Sequence, residues 1–168
     1  MTADKKDIDP VLKFLGVGRQ LGYAGYLSFD SLCVLDATGI KKWEKAKALQ
    51  KQAQTFWLMG LTSSILSGSY TLYHLNLRKQ KIDKKEGEGV VESKKIEKYD
   101  LPELLDGTRL RLHRQWNTAR LQLMSDLCDI CIPSTSLRYL NLDDGIVGLA
   151  GTFSSLIGLY NAWEKVRQ

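Results

Sequence analysis

The chain reads as an all-α helical membrane protein of about four helices, two of them long, hydrophobic and paired as a hairpin. Three observations predict this. Residues 52–77, between Lys51 and Arg78, form 26 positions without a formal charge, and residues 145–163, between Asp144 and Glu164, form 19 more. Each window is long enough to span roughly 30 Å of hydrocarbon at about 1.5 Å per residue. Small residues recur in both at helical spacing, and no alternating apolar run is long enough to make a strand.

The first helix starts at Asp9, a good N-cap, with Pro10 at the first helical position, and runs to Gly39, a natural stop. The second, from Lys41 to about Leu77, opens with the basic KKWEKAKALQK and changes to TFWLMGLTSSILSGSYTLYHLNL. Gly60, Ser64 and Gly68 recur there every four residues, a small-residue ladder for close helix packing. Residues 78–100 read as a charged linker. Seven lysines and five acids crowd positions 79–98 with few large apolar groups, so nothing offsets the entropy of ordering. The linker divides the chain into a helical half, 1–77, and a second half, 101–168.

A third helix is expected from about Thr108 to Ile132. Leu112, Trp116, Ala119, Leu123, Leu127 and Ile130 fall on one face by steps of three and four. Arg109, Arg111, Arg114 and Arg120 are assigned to the opposite face, and Pro133 with Ser134–Ser136 ends the helix. In the last helix a bulky stripe (Ile146, Leu149, Phe153, Tyr160, Trp163) stands beside a small one (Gly148, Gly151, Ser155, Gly158). A water-facing helix would place charges on one side. Four glycines, each costing about 1 kcal/mol relative to alanine in a soluble helix, fit better where backbones pack closely in lipid. Asp143 and Asp144 before this helix, with Lys165 and Arg167 after it, favour a cytosolic C-terminus.

The net charge of +5 calls for an anionic partner. Lys41, Lys42, Trp43 and Lys45, and the four arginines beside Trp116, adjoin uncharged helices, which favours anionic lipid head groups over nucleic acid. Three cysteines make no disulfide framework, and from the polar opening MTADKKDIDP no secretory leader is expected. Cys128-Asp-Ile-Cys131 lies mid-helix with no strand before it, and zinc would need two more ligands, so neither metal nor redox chemistry is assigned. No catalytic constellation and no cofactor motif is visible, and an enzyme is not expected. Two alternatives stand beside the membrane reading: a metabolite pore, with Asp30 and His74 as its polar groups, and a soluble helical adaptor.

The stretches GRQLGYAGYLSFDSLCVLDATGIKKWEKA, TFWLMGLTSSILSGSYTLYHL and LDDGIVGLAGTFSSLIGLYNAWEK, with the charged linker, resemble the peroxin-eleven family, especially its fungal branch. Tyr26-Leu27-Ser28-Phe29-Asp30 and the glycine-patterned last helix carry most of the likeness. The resemblance implies a peroxisomal membrane protein with cytosolic termini that elongates peroxisomes and promotes their proliferation and division. It also implies self-association into homo-oligomers, recruitment of a dynamin-related protein and its adaptor, and, for some members, a pore. Members of the family carry an N-terminal amphipathic helix that curves membranes; this chain is expected to begin after it and to match the last two-thirds of a member.

Overall fold

The computed structural model describes residues 9–42, 44–92 and 101–167. They form four long helices and one short one: α1 (Pro10–Ala37), α2 (Ala46–Glu92), α3 (Leu101–Asp129), α4 (Cys131–Ser136) and α5 (Asp144–Arg167). No strand occurs among the described residues.

The start of α1 is set by Asp9, whose side chain accepts the Val11 N–H at 3.1 Å, with Pro10 following at a position where no amide is needed. Its end is set by Gly39, which takes φ +76°, a conformation that costs a side chain but not glycine. Asp143 starts α5 by accepting the Gly145 N–H at 3.0 Å. Asp144 in the first turn, and Lys165 and Arg167 in the last, oppose the helix dipole at both ends.

Four boundaries differ from expectation, the first being the start of α2 at Ala46 rather than Lys41. The second helix does not stop at Leu77 but continues to Glu92 through most of the expected linker. Lysine and glutamate are good helix formers even where they bury nothing, so a segment with few apolar groups can still continue a helix that is already nucleated. Residues 93–100 of that expected linker lie outside the described residues. The third helix starts at Leu101 rather than Thr108. Pro133 does not end the helical path: it sits in the first turn of α4, where its missing amide leaves no bond unmade. The stop comes later, at Arg138, which takes φ 62° and lets the Tyr139 N–H close on the Ser134 carbonyl at 2.9 Å.

The long helices form an antiparallel row in the order α1, α2, α3, α5, with α4 bridging α2, α3 and α5 at one end. Gly22 meets Gly60 between α1 and α2, Leu123 meets Gly68 between α2 and α3, and Ser125 meets Ser154 between α3 and α5. The expected hairpin of the two uncharged helices is therefore not formed directly. Among the described residues α2 and α5 make no contact, because α3 lies between them. Its helix buries two faces, one on each neighbour.

Candidate functional site

The α1–α2 crossing is a backbone contact. A Cβ on Gly22 would stand 2.5 Å from the Gly60 Cα and 2.9 Å from the Phe56 carbonyl oxygen, so only glycine permits this approach. A Cβ on Gly25 would meet the Phe56 ring at 2.5 Å. Around the crossing, Tyr26 stacks on Trp57 at 5.0 Å between ring centres and Phe29 on Phe56 at 5.5 Å. At the far end of the pair the Tyr70 hydroxyl donates to Asp9 Oδ2 at 2.6 Å. That hydrogen bond, with the Val11 N–H, holds the Asp9 carboxyl below its ordinary range.

A polar seam follows along the row. Ser64 of α2 donates to Asp126 Oδ2, and Gln122 donates to Asp126 Oδ1 at 2.9 Å. Asp126 is only 2% exposed. On the other side of α3 the Ser125 and Ser154 hydroxyls share a hydrogen bond of 2.7 Å. Each buried polar group of this seam is thus answered by another, which is the condition for keeping it inside; outside the seam, Gln54 Oε1 is buried without a partner among the described residues.

The outside has the opposite character. Phe14 is 78% exposed on α1, and Leu149 and Trp163 are 72% and 68% exposed on α5. Val17, Leu21 and Leu27 are also exposed along α1, as are Phe153, Leu156 and Leu159 along α5. Polar side chains share the narrow interior with Ala53, Leu61, Leu75 and Ile157, while many large apolar ones face out, an arrangement that water disfavours. Among the described residues α5 is the one helix long and apolar enough to cross a membrane. The 52–77 stretch of α2 does not reach that apolarity, because its serines, threonines and tyrosines dilute it.

The expected packing residues divide into two groups. Gly60 faces α1, Ser64 and Gly68 face α3, and all three serve packing inside one chain. On α5 a Cβ added to Gly151 would reach only Ile132 Cδ1, at 3.5 Å, while Gly148 and Gly158 meet nothing within 4 Å. Ser155 is exposed and turns its hydroxyl back to the Gly151 carbonyl at 2.8 Å. That edge of α5 is open.

The expected head-group residues also divide. Lys41, Lys42 and Lys45 are exposed before α2, and Trp43 lies outside the described residues. Arg109 pairs with Asp83 at 3.2 Å near the other end of α2. From Ala46 to Asp83 that is about 55 Å along the helix, so the two basic groups occupy opposite ends of the row. Nor do the four arginines share one face of α3, as expected. Arg109 turns to α2, Arg114 lines a cleft with Tyr160 and Glu164 of α5, Arg120 stacks over Trp116 at 4.5 Å, and Arg111 is exposed. With neighbours on both sides, α3 has no single outer face. For the same reason Leu127, expected inside, is 50% exposed, and Asp126 takes the inner position.

Asp126, Ser125 and Ser154 were missed by pattern reading because polar residues count against a buried face. The available signal was Asp126 at four residues after Gln122 and three after Leu123, in step with the apolar positions. Asp30 and His74 are not brought together: Asp30 lies near the Lys41 end of α1, and His74 packs at a tilt against Tyr70, 4.4 Å between ring centres, toward the other end. Among the described residues no three His, Cys, Asp or Glu side chains are grouped to hold a metal, and Cys128 and Cys131 are free thiols.

Comparison with known proteins gives this inverted row a context. The family model for Peroxisomal biogenesis factor 11 (PEX11) matches residues 1–163. The peroxisomal membrane proteins PMP30A and PMP30B of Candida boidinii are 27% and 25% identical to 95% of the chain. A peroxisomal membrane protein 11 homolog of Dictyostelium discoideum is 25% identical over 92% of it. The chain spans 64%, 64% and 63% of the lengths of these three relatives. No solved structure matches. A match over nearly every residue, joined to an exposed apolar α5, leads to one conclusion: the chain belongs to the PEX11 family of peroxisomal biogenesis factors, and its place is the peroxisomal membrane.

Proposed function

We propose that this protein promotes elongation, proliferation and division of peroxisomes by self-associating within their membrane, without chemical catalysis. The observation that supports this is the inverted row, with Ser64, Ser125, Asp126 and Ser154 buried and Phe14, Leu149 and Trp163 exposed. Lipid removes the penalty on the outer residues, and the internal hydrogen bonds satisfy the inner ones. In this reading α5 crosses the bilayer with its C-terminus in the cytosol. The 52–77 stretch of α2 and the outer face of α1 lie in the same layer, so the hairpin becomes a row with α3 between its arms. The basic residues Lys41, Lys42 and Lys45 at one end, and Arg109, Arg111, Arg114 and Arg120 at the other, contact anionic head groups.

The open edge at Gly148, Ser155 and Gly158 is where a second copy docks, backbone close to backbone. Clustered copies wedge the bilayer and favour a narrow tubule. Recruitment of a dynamin-related protein and its adaptor is the further step that family membership suggests.

Carbonate extraction of the tagged chain, with microscopy of peroxisomes, is the test. The chain is expected in the membrane pellet and the organelles are expected to lengthen. Gly148→Leu with Gly158→Leu should leave it in the pellet but abolish its crosslinked dimer and the lengthening. A wild-type chain recovered in the soluble fraction would replace this reading with that of a helical adaptor.

A further inference from the structure

A cleft of about 400 Å³ opens between the C-terminal part of α2 and the first half of α3. It lies within the range of about 300–1,000 Å³ typical of small-molecule sites. Leu75, Ile82, Leu112 and Trp116 make its walls. Leu75 is buried and closes the end nearest the middle of the row, while the Asp83–Arg109 pair closes the outer end. Lys79 and His113 line the cleft between these ends, one from each helix. Asp83 is occupied by Arg109, and among the described residues Lys79 has no carboxylate partner. The cleft thus offers an apolar slot and, among the described residues, one positive charge without a carboxylate partner.

We infer that this cleft binds a single-chain anionic amphiphile, a long-chain fatty acid whose carboxylate sits at Lys79 and whose chain lies between Leu75, Ile82, Leu112 and Trp116. Its volume accepts one acyl chain; a diacyl lipid would leave its second chain outside. Its charge suits a monoanion, since a dianionic phosphate head would find only one cation not already paired with Asp83. Its depth suits an amphiphile. Helices α3 and α5 are antiparallel, and Arg114 and Thr118 stand level with Glu164, so the cleft lies level with the last turn of α5 and extends toward its C-terminal end. If α5 spans the bilayer, as proposed above and on which this inference rests, that is the boundary where a fatty acid is already aligned, head toward water.

The test uses the full chain in phosphatidylcholine vesicles with a diazirine-bearing palmitic acid, and reads the labelled peptides by mass spectrometry. Adducts are expected within residues 75–83 and 109–116. Excess palmitic acid should displace them, and its methyl ester should not. Lys79→Glu should lower this labelling about tenfold and Lys79→Arg should keep it, because the charge-assisted contact is lost in one and kept in the other. Equal competition by the methyl ester, unchanged labelling of Lys79→Glu, or adducts confined to the outer faces of α1 and α5 would overturn the inference. Vesicle flotation, measured first, separates the two readings. A chain that does not float overturns the membrane reading and this inference together, whereas one that floats and fails the competition overturns this inference alone.

Discussion

The two ends of the row are held by different physics. Between α1 and α2 the contact is steric, with Gly22 on Gly60 and aromatic rings stacked around them. Between α3 and its neighbours it is polar, with Asp126 answering Ser64 and Ser125 answering Ser154. A glycine crossing needs only that nothing be added, and it works equally well in water and in lipid. A polar seam needs every partner present, and it is most useful where outside water cannot compete for the bonds. The α1–α2 pair is therefore a rigid base, and the α3–α5 side is the part whose cohesion depends on composition residue by residue.

The largest expected effect breaks the steric side. Gly22→Val places side-chain atoms inside the Gly60 backbone and should destabilise the chain by about 1–3 kcal/mol or more, as overpacking does, read by thermal unfolding in detergent. Next comes the seam. Asp126→Leu strands Ser64 and Gln122 and should cost about 1–3 kcal/mol, whereas adding Ser64→Ala should recover part of that loss. A double variant no better than Asp126→Leu alone would show that the seam does not act as a unit. Ser154→Ala removes one hydrogen bond and should cost less, about 0.6 kcal/mol if it behaves as such bonds do within membranes.

The smallest effect is at the Asp9–Tyr70 staple. A carboxyl held below its ordinary range contributes stability above the unfolded pKa of about 3.9 and loses it as pH falls through the lower folded value. Tyr70→Phe should therefore make no difference in strong acid and show a slight loss of stability at neutral pH, seen as a shift in unfolding temperature. An equal loss at both extremes would assign the effect to packing.

The steric base was the more legible half. Asp9-Pro10, Gly39 and the Gly60-Ser64-Gly68 ladder announce their roles by chemistry that few other residues share. Even there the ladder revealed only that something packs closely; that Gly60 takes α1 while Ser64 and Gly68 take α3 is decided by tertiary geometry. The seam was hidden because one apolar stripe was sought on α3, a helix with two neighbours. The extension of α2 to Glu92 was hidden because charged residues suggest solvent, and solvent exposure does not forbid a helix.

That extension has a mechanical consequence. An unbroken helix of 47 residues measures about 70 Å, more than twice the roughly 30 Å of a hydrocarbon layer. Tilting absorbs only part of such an excess. In the arrangement proposed above, with residues 52–77 in the bilayer, the rest of this stiff post must stand clear of the surface, and a crowd of such posts would keep any facing membrane at arm's length while leaving the plane beneath free to bend.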